Sequence, residues 1–513
     1  MRNIVYKTLL CLSVAVLAVS CDLTRKPFSS MDKEGALETV SDAQKWSNNQ
    51  MSSFRGRLMG DYDRCQDIQS DMLNASVDFG NRYGGFHNWN SLKAGEYELR
   101  DIYHSYYLSL KNINYFLSKV EKMEVTDKEK ATMDAMVGQA LFLRGYYYFN
   151  LAIRYGSRYN AATAKTDLCV PMVLEQDPFA KPGRASNEEV YAQIAKDLDK
   201  AATLLAANVG EAGADVITQD AVNALRARVA LYKGDYENAY TIAKAIVTSQ
   251  RYELGKTAED LMNMWRKDTS SEDILRLFVS KPDEKPNVNS YYGPIVGEKD
   301  ASGNPVKLYG PDWLPTQWVL DLYEDVDFRK AVYFEKVNLK YSSDIYEGLY
   351  VIAKFRGNPK FASVTDDPAF GIVPNSMIAP KAFRVAEMYL IAAEAGAEAG
   401  KGDAVKFLND LRESRGLAKV ALSGQDLIKE IRNERTRELA YEGFRLFDLR
   451  RWNEPLVRHN PQTLADGSYP FLSQVPDPKN MRIEANDNKF IWGLPSYEFQ
   501  TNQNLKGQQN PGW

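Results

Sequence analysis

The stretch AVNALRARVALYKGDYENAYTIAKAIVTS, residues 221–249, decides how this chain folds. Small residues, chiefly alanine, recur through both of its halves, and the tight turn Lys233-Gly234-Asp235-Tyr236 separates the halves. Small side chains let paired helices approach closely, which is the sequence logic of a tetratricopeptide repeat. The stretch therefore predicts two helices that pack against each other.

A second stretch with the same pattern, AEMYLIAAEAGAEAGKGDAVKFLNDLRESRG, covers residues 386–416 and turns at the Lys-Gly-Asp of residues 401–403. Residues 136–156 are apolar or aromatic on most sides, which predicts a helix buried between neighbours. Residues 187–205 begin with Asn-x-Glu and are amphipathic, so they predict a further helix. The predicted fold class is mainly α, a tetratricopeptide-like scaffold of helix pairs.

Long loop-rich excursions interrupt this scaffold. Residues 157–186 and 280–316 are rich in Pro, Gly, Asp and Tyr, and residues 453–490 form a long irregular stretch. Loops of this length in a compact protein are usually functional. The region of the middle excursion contains NSYYGPIVG and YGPDWLPTQW, so aromatic residues are concentrated there.

A second concentration of aromatic residues lies in SVDFGNRYGGFHNWNS, residues 76–91. Phe79, Tyr83, Phe86 and Trp89 follow one another at helical spacing, which is typical of a buried stripe. The same segment contains three glycines and three asparagines, which disfavour a helix. Aromatic faces stack on the apolar side of a sugar and Asn and Arg bind its hydroxyls, so a ligand platform is the alternative to core packing.

The first residues, MRNIVYKTLLCLSVAVLAVSC, combine a short basic region with an apolar run at residues 8–19. The run is too short for a permanent membrane span and suits a signal peptide. Small residues precede Cys21, as in a bacterial lipobox, although Ala18 occupies the position three before the cysteine. We expect a lipoprotein signal peptide at residues 1–20, acylation of Cys21 and a lipidated tether at residues 21–32; an ordinary secretory signal is the alternative.

Composition and charge exclude several classes of protein. Hydrophobic residues make up 44% and charged residues 26% of the chain, which excludes disordered and membrane-embedded proteins. The formal net charge is −4 and falls to −6 once Arg2 and Lys7 leave with the signal peptide, which argues against nucleic acid as a partner. Besides Cys21, the mature chain keeps Cys65 and Cys169, which we predict to be buried free thiols.

Four further stretches resemble the SusD/RagB-like outer-membrane lipoproteins of Bacteroidetes. They are ALFLRGYYYFNLAIRYG (140–156), FRVAEMYLIAAEA (383–395), ERTRELAYEGFRLFDLRRW (434–452) and LPSYEFQTNQNLKGQQNPGW (494–513). The resemblance covers nearly everything from Cys21 to Trp513 and implies a SusD-like fold of helix pairs. It implies an N-terminal region, 33–280, with helix pairs and the aromatic loop, and a C-terminal region, 281–513, with the aromatic excursion, a helix pair and a terminal motif. Packing of Trp513 is expected to tie down the chain end.

The resemblance implies a nutrient-binding protein that is lipid-anchored in the outer membrane, faces the cell surface and serves a SusC-like TonB-dependent transporter. We expect an oligosaccharide as the ligand, because clustered Trp and Tyr beside Asn favour sugar, and a peptide, as for RagB-like members, is the alternative. The protein would cover the transporter as a lid, with the aromatic excursions facing the enclosed cavity. No cofactor is expected; some relatives bind calcium, but no Asp-rich loop requires it here.

The family's ligands are typically held by aromatic, Arg, Asn and Asp side chains on two parts of the chain. These parts are the loops after the first helices and the mid-chain excursion. The corresponding candidates are, from the first part, Arg82, Tyr83, His87, Asn88 and Trp89, from the second Tyr291, Tyr292, Trp313 and Trp318, and, less strongly, Asp71 and Asn74.

A secreted glycoside hydrolase is the remote alternative, and its carboxylate pair would be Glu434 and Glu438, one helical turn apart. Many arginines flank this pair, so both carboxylates would stay ionised, which is wrong for a general acid. We therefore predict no catalytic residue here but a charge-paired network that locks this helix against the C-terminal segment. The scattered His87, His104 and His459 predict no metal site.

Overall fold

Helices supply most of the regular structure of the chain. The computed structural model describes residues 37–513 except 178, 281–282, 294, 300–301, 362–373 and 465–480. Within these residues the α-helices are α1 (Val40–Arg55), α2 (Asp61–Gln69), α3 (Gly84–His87), α4 (Tyr97–Val120), α5 (Asp127–Tyr155), α6 (Asn187–Leu204), α7 (Gln219–Lys233), α8 (Tyr236–Thr248), α9 (Ala258–Lys267), α10 (Gln317–Asp321), α11 (Phe328–Tyr333), α12 (Val385–Glu398), α13 (Ala404–Ser414), α14 (Gly424–Glu438), α15 (Arg445–Trp452) and α16 (Ser496–Thr501). None of these helices is long and apolar enough to cross a membrane. The mainly α fold class is confirmed, whereas the predicted signal peptide (1–20), Cys21 and the tether (21–32) lie outside the described residues.

Both predicted helix pairs are present. The first is α7 and α8, and Gly234 in the turn between them has a φ of +75°, a left-handed conformation that favours glycine. The second is α12 and α13, with Gly400 in its turn at a φ of +68°. Arg228 on α7 joins the two pairs, since its guanidinium donates to both carboxylate oxygens of Glu387 on α12, at 2.7 and 2.6 Å.

The other two predicted helices are α5 and α6, which pack closely against each other. A Cβ added at Gly138 of α5 would lie 2.9 Å from the side chain of Leu205, and one added at Gly145 would lie 3.0 Å from Leu198. The two glycines therefore permit the close approach of the helices. Helix α6 is capped by Ser186, whose hydroxyl accepts a hydrogen bond from the backbone N–H three residues on.

Short strands occupy parts of the predicted excursions. They are β1 (Leu73–Ala75), β2 (Leu168–Pro171), β3 (Arg184–Ser186), β4 (Asp273–Arg276), β5 (Ile295–Lys299), β6 (Pro305–Tyr309), β7 (Trp313–Pro315), β8 (Phe334–Tyr341), β9 (Asp344–Ile352), β10 (Lys381–Arg384), β11 (Leu456–Val457) and β12 (Arg482–Ile483). Four of them form a sheet in the order β5-β6-β8-β9, in which only the β6–β8 pair is parallel. The described part of residues 280–316, predicted to be loop-rich, thus contains three strands. Strand β5 pairs with β6 inside that stretch, while β8 and β1 outside it pair with β6 and β7.

A two-stranded antiparallel ladder of β1 and β7 brings the two aromatic-rich segments together. Leu73 pairs with Pro315, and Ala75 pairs with Trp313. Residues 76–91 follow β1 directly, so they lie beside the end of the mid-chain excursion. The backbone N–H of Ser76 extends the contact by donating to Asp312 O at 2.9 Å.

The two cysteines in the described part of the chain are buried and form no disulfide, as predicted. They are Cys65, on α2, and Cys169, on β2. Burial raises the pKa of the Cys169 thiol to about 12. A thiol with so high a pKa stays protonated at neutral pH and is a poor nucleophile.

The C-terminus is tied down by packing, as predicted. The indole N–H of Trp513 donates to Ile491 O at 2.9 Å, and Lys489 Nζ lies 3.7 Å from the ring centroid. Gly493 lies against the same ring, since a Cβ added there would come within 2.5 Å of it. The missing side chain at position 493 is what lets the terminal indole approach the chain so closely.

The carboxylates of Glu434 and Glu438 on α14 are completely buried. Glu434 accepts hydrogen bonds from Arg329 and Arg437, at 2.6 Å each. Burial alone would raise the pKa of Glu434, but the two guanidinium groups outweigh it and lower the pKa to about 2. An ionised carboxylate that is fully paired has no proton to donate, so the predicted charge-paired network is confirmed for these two residues.

Glu438 is the centre of this charge cluster. Its carboxylate accepts hydrogen bonds from Arg329 at 3.0 Å, from Arg384 at 2.8 Å and from Arg415 at 3.0 Å. The three arginines belong to α11, β10 and the residue that follows α13. The network therefore ties α14 to earlier parts of the chain, and Arg435 on the same helix donates to Asp448 of α15 at 2.8 Å, so it also ties the helix to the segment that follows, as predicted.

Candidate ligand-binding cleft

A cleft of about 620 Å³ lies where residues 76–91 meet the four-stranded sheet. One side is formed by α2 and the residues that follow β1, and another by the end of β8 and the turn after it. The residues that line the cleft are Arg64, Asp78, Arg82, Tyr83, Ser290, Gly293, Gly310, Asp312, Trp313, Lys340, Tyr341 and Ser342. The cleft thus combines aromatic, cationic and anionic side chains from distant parts of the chain.

The backbone of residues 76–91 turns sharply at the cleft. Gly80, Asn81 and Tyr83 have φ values of +61°, +56° and +59°, in the left-handed region that residues other than glycine rarely adopt. A continuous helix is therefore excluded here, and only the short α3 follows. After the turn, Phe86 and Trp89 lie in the core, each 1% exposed. Of the four aromatic residues at helical spacing, Phe86 and Trp89 thus pack in the core, whereas Phe79 and Tyr83 lie at the cleft.

Tyr83 is held by two side chains of α2. Its hydroxyl donates to Asp61 Oδ1 at 2.6 Å, and Arg64 donates both to that carboxylate, at 3.1 Å, and to the phenol oxygen. The Arg64 guanidinium carbon also lies 4.7 Å from the centroid of the Tyr83 ring. Burial raises the pKa of the Tyr83 phenol, and Asp61 raises it further against the opposing effect of Arg64. The phenol is therefore a fixed, neutral hydroxyl at the edge of the cleft.

Two polar contacts connect the residues after β1 with the turns that follow β6 and β8. Arg82 Nη1 lies 3.4 Å from Asp312 Oδ2, and the Arg82 side chain is 70% exposed. Asp78 accepts a hydrogen bond from the backbone N–H of Ser342 at 2.8 Å. Burial raises the pKa of Asp312, and Arg82 opposes this shift. The contacts place hydrogen-bonding groups on both sides of the cleft.

Aromatic side chains close the inner part of the cleft. Trp313 is 4% exposed and Tyr341 is 3% exposed, so each presents a narrow edge and not a full ring face. The Tyr341 hydroxyl donates to Pro311 O at 2.7 Å. Phe79, which is partly buried, meets the Trp313 ring edge-on at a centroid distance of 5.4 Å. The cleft therefore has an aromatic lining that the fold itself supports.

Three of the predicted ligand contacts, Arg82, Tyr83 and Trp313, line this cleft. Six others are no more than 3% exposed, namely Asp71, Asn74, His87, Trp89, Tyr291 and Tyr292. Several of these bind other parts of the fold; Asp71, for example, accepts two hydrogen bonds from Arg445, at 2.9 and 2.7 Å. None of the six lines the cleft, so we leave them out of the proposed site.

Trp89, the most prominent of these six, is a core residue. Its indole N–H donates to Gln69 O at 2.9 Å, and its ring meets Phe490 at a centroid distance of 4.8 Å. Leucines of α15 and β11 complete the cluster around it. Because Trp89 is buried in this cluster, we correct the prediction that its ring stacks on a ligand. The ring packs in the core.

Trp318 and Asn88 are partly exposed but do not line the cleft. The Trp318 ring stacks on His459, with centroids 4.1 Å apart and planes 13° apart. The guanidinium carbon of Arg445 lies 5.2 Å from the Trp318 ring centroid. Helix α10 therefore carries Trp318 to a separate cluster, although Trp313 lies only five residues before it.

The histidines lie apart from one another. His87 is buried against Arg458, and burial together with this guanidinium holds the pKa of the imidazole well below its usual range. His104 is exposed on α4, and His459 stacks on Trp318. Across the described ranges, no three His, Cys, Asp or Glu side chains come together in a way that could hold a metal ion.

Sequence reasoning missed most of the polar groups of the cleft. Lys340 and Ser342 come from the β8–β9 hairpin, which carries no local motif. Asp312 lies inside the stretch YGPDWLPTQW, of which the aromatic residues and not the carboxylate are the predicted contacts. Asp61 and Arg64 belong to α2, which has no aromatic cluster to draw attention to it. A hairpin predicted for residues 334–352 is the one signal that would have pointed to this side of the site.

Replacement of Gly293 by alanine is expected to deform the cleft. Gly293 has a φ of +68°, and an added Cβ would lie 2.3 Å from the backbone oxygen of Gly310, which also lines the cleft. We expect Gly293→Ala to lower the free energy of unfolding by about 2–4 kcal/mol, through left-handed strain and overpacking together. Gly303→Ala is the matched control, because Gly303 has a φ of +81° with nothing within 4 Å of the added Cβ. Chemical denaturation should show a loss of about 1 kcal/mol for the control, and equal losses would contradict the packing argument.

Two family models match the two ends of the chain. One, described as the SusD family, matches residues 348–513, and the other, described as starch-binding associating with outer membrane, matches residues 34–231. The chain belongs to the SusD family. The models together include all four of the sequence stretches on which the resemblance rested, so the predicted family is confirmed. A search of proteins with curated functions finds no match.

Solved structures of other SusD-like proteins share the fold. A SusD superfamily protein from Bacteroides thetaiotaomicron is 23% identical with a TM-score of 0.70, over 92% of this chain and all of its own. A putative sugar-binding protein from Bacteroides vulgatus is 23% identical with a TM-score of 0.71, over 93% of this chain and 99% of its own. A laminarin-binding SusD-like protein is 21% identical with a TM-score of 0.68, over 93% of this chain and all of its own. At these identities the likeness establishes the fold of this SusD-family protein.

Proposed function

We propose that this SusD-family protein binds an oligosaccharide in the cleft formed by residues 76–83, Asp312 and the β8–β9 hairpin. The cleft itself carries the proposal. Its volume of about 620 Å³ falls within the usual range of ligand sites. Tyr83 and Trp313 supply aromatic surface, and charged and hydroxyl side chains supply donors and acceptors for sugar hydroxyls. The laminarin-binding protein with the same fold supports a glycan as the ligand.

The proposed role is capture and transfer without catalysis. In this role the protein hands its glycan to a SusC-like TonB-dependent transporter, with the cleft facing the enclosed cavity. Acylated Cys21 anchors it to the outer membrane, facing the cell surface. The lipobox pattern before Cys21 supports the anchor, and the description of the N-terminal family model supports the location.

Replacement of Arg82 by alanine tests the proposed site. Arg82 is the most exposed cation of the cleft, and a hydrogen bond from a charged donor contributes about 1.5–3 kcal/mol. We expect Arg82→Ala to weaken binding of the cognate glycan at least about ten-fold. The measurement is calorimetric titration of the unlipidated protein, residues 22–513, with neutral and acidic polysaccharides and with a peptide mixture.

Arg100→Ala is the matched control. Arg100 is likewise exposed and likewise paired with an aspartate, but it lies on α4 outside the cleft. A glycan that binds both variants with the wild-type affinity would show that the site lies elsewhere. Binding of peptides and of no glycan would overturn the choice of ligand. Chain shortening of the oligosaccharide after prolonged incubation would overturn the non-catalytic role.

A further inference from the structure

The cations of the cleft already have carboxylate partners. Arg64 Nη2 lies 3.1 Å from Asp61 Oδ1, and Arg82 Nη1 lies 3.4 Å from Asp312 Oδ2. Lys340, the third cation that lines the cleft, contacts Glu298 on the neighbouring strand β5. A sulfate or carboxylate group on a ligand would therefore have to compete with a protein carboxylate for each cation.

A further carboxylate, that of Asp78, lines the cleft without a cation of its own among the lining residues. Asp78 accepts a hydrogen bond from the backbone N–H of Ser342 at 2.8 Å, and this contact holds the carboxylate beside the ligand space. The three cations of the lining and their three carboxylate partners offset one another, so Asp78 leaves the named groups with three positive charges against four negative ones.

We infer that the cleft selects electrically neutral glycans and discriminates against those that carry carboxylate or sulfate groups. The inference rests on the proposed glycan-binding function and names the class of ligand. Paired cations still donate hydrogen bonds to neutral hydroxyls, since a guanidinium has five N–H groups and a carboxylate occupies only some of them. Excess negative charge repels an anionic ligand, and like charges brought together across an interface suppress the wrong partner.

Asp312 is the residue that makes this inference testable. Its carboxylate neutralises Arg82, the cation most accessible to a ligand, and its backbone contact with Ser76 does not involve the side chain. Asp312→Asn keeps the shape of the side chain and removes its charge. The variant should therefore gain affinity for anionic glycans through Arg82.

The experiment compares polysaccharides that share a backbone and differ in their anionic groups, such as laminarin and sulfated laminarin, dextran and dextran sulfate, and carboxyl-reduced and native glucuronoxylan. The wild-type protein should bind the neutral member of the cognate pair at least about ten-fold more tightly than the anionic one, with little dependence on salt. Asp312→Asn should bind the anionic member about ten-fold more tightly than the wild type does, and this gain should shrink as the salt concentration rises. Asp410→Asn removes the same charge from an aspartate of similar exposure paired with Lys406, outside the cleft, and should change neither affinity.

The outcomes separate this inference from the function on which it rests. Wild-type preference for the anionic member, with steep salt dependence, overturns the inference and leaves glycan binding intact. An unchanged anionic affinity in Asp312→Asn also overturns it, because Arg82 would then not be the neutralised cation. Equal gains in Asp312→Asn and Asp410→Asn would show an effect of net charge and would overturn it as well. Failure of every polysaccharide to bind, whether or not peptides bind, overturns the proposed function and the inference with it.

Discussion

Trp89→Ala is expected to lower the free energy of unfolding by about 3–5 kcal/mol, as large-to-small replacements in a core do. The indole is 1% exposed and packs against Phe490 and three leucines of α15 and β11. Its removal leaves a cavity and an unpaired backbone oxygen at Gln69, which now accepts the indole N–H. Guanidinium denaturation followed by far-ultraviolet circular dichroism measures the loss.

Two further variants serve as controls for this measurement. Trp89→Phe keeps an aromatic ring in the core and should recover part of the lost stability. Phe179→Ala removes a side chain that is 84% exposed and should change stability by less than about 0.5 kcal/mol. If Trp89→Ala unfolds like the wild type but no longer binds a glycan, the ring is a ligand platform and its assignment to the core is wrong.

Glu438→Gln should cost about 3–5 kcal/mol of unfolding free energy, because it leaves buried cations without their shared counter-charge. Arg329, Arg384 and Arg415 all donate to this one carboxylate, and their side chains are at most 2% exposed. The amide of glutamine matches the carboxylate in shape but carries no charge. Thermal and chemical unfolding both report the effect.

The control is Glu413→Gln, whose side chain is 47% exposed and paired with Lys419 at the surface. An exposed pair contributes at most about 1 kcal/mol, so this variant should stay close to the wild type. Similar losses in the two variants would contradict the central role assigned to Glu438.

The same cluster predicts how stability depends on pH. The native pKa of Glu434 is about 2, below the value of about 4.3 for glutamate in an unfolded chain. Arg415 and Arg384 hold the pKa of Glu438 well below its usual range as well, against the effect of burial. The stability that these carboxylates contribute is present above the unfolded pKa and is lost as the pH falls towards the native pKa. Glu438→Gln should therefore show a weaker loss of stability in acid than the wild type.

The helical scaffold was predictable because its information is local. Small residues at helical spacing and a glycine in the turn specify the pair α7–α8 within fewer than thirty residues of sequence, and α12–α13 repeats the pattern. The sheet was not predictable in the same way. Proline and glycine in residues 280–316 suggest loops, and two of the strands there pair with distant segments, β6 with β8 and β7 with β1, which no local pattern predicts.

The candidate site could be predicted from the sequence only in part. Phe79 and Trp89 belong to one helical pattern, yet the left-handed residues between them send the first towards the cleft and the second into the core. The family resemblance pointed to the two segments of the chain that meet at the cleft. It did not separate Trp313, which lines the cleft, from Trp318, which stacks on His459, because that choice depends on where β7 ends and α10 begins.

The ladder between β1 and β7 also has a consequence for the order of folding. Ala75 and Trp313 lie far apart along the chain, and closing so long a loop costs entropy before any contact compensates for it. The helix pairs depend on contacts between neighbouring segments and should form early, whereas the cleft exists only once this distant ladder has closed. A newly made chain should therefore acquire its helices well before it acquires a pocket, and sugar binding would report completion of the fold.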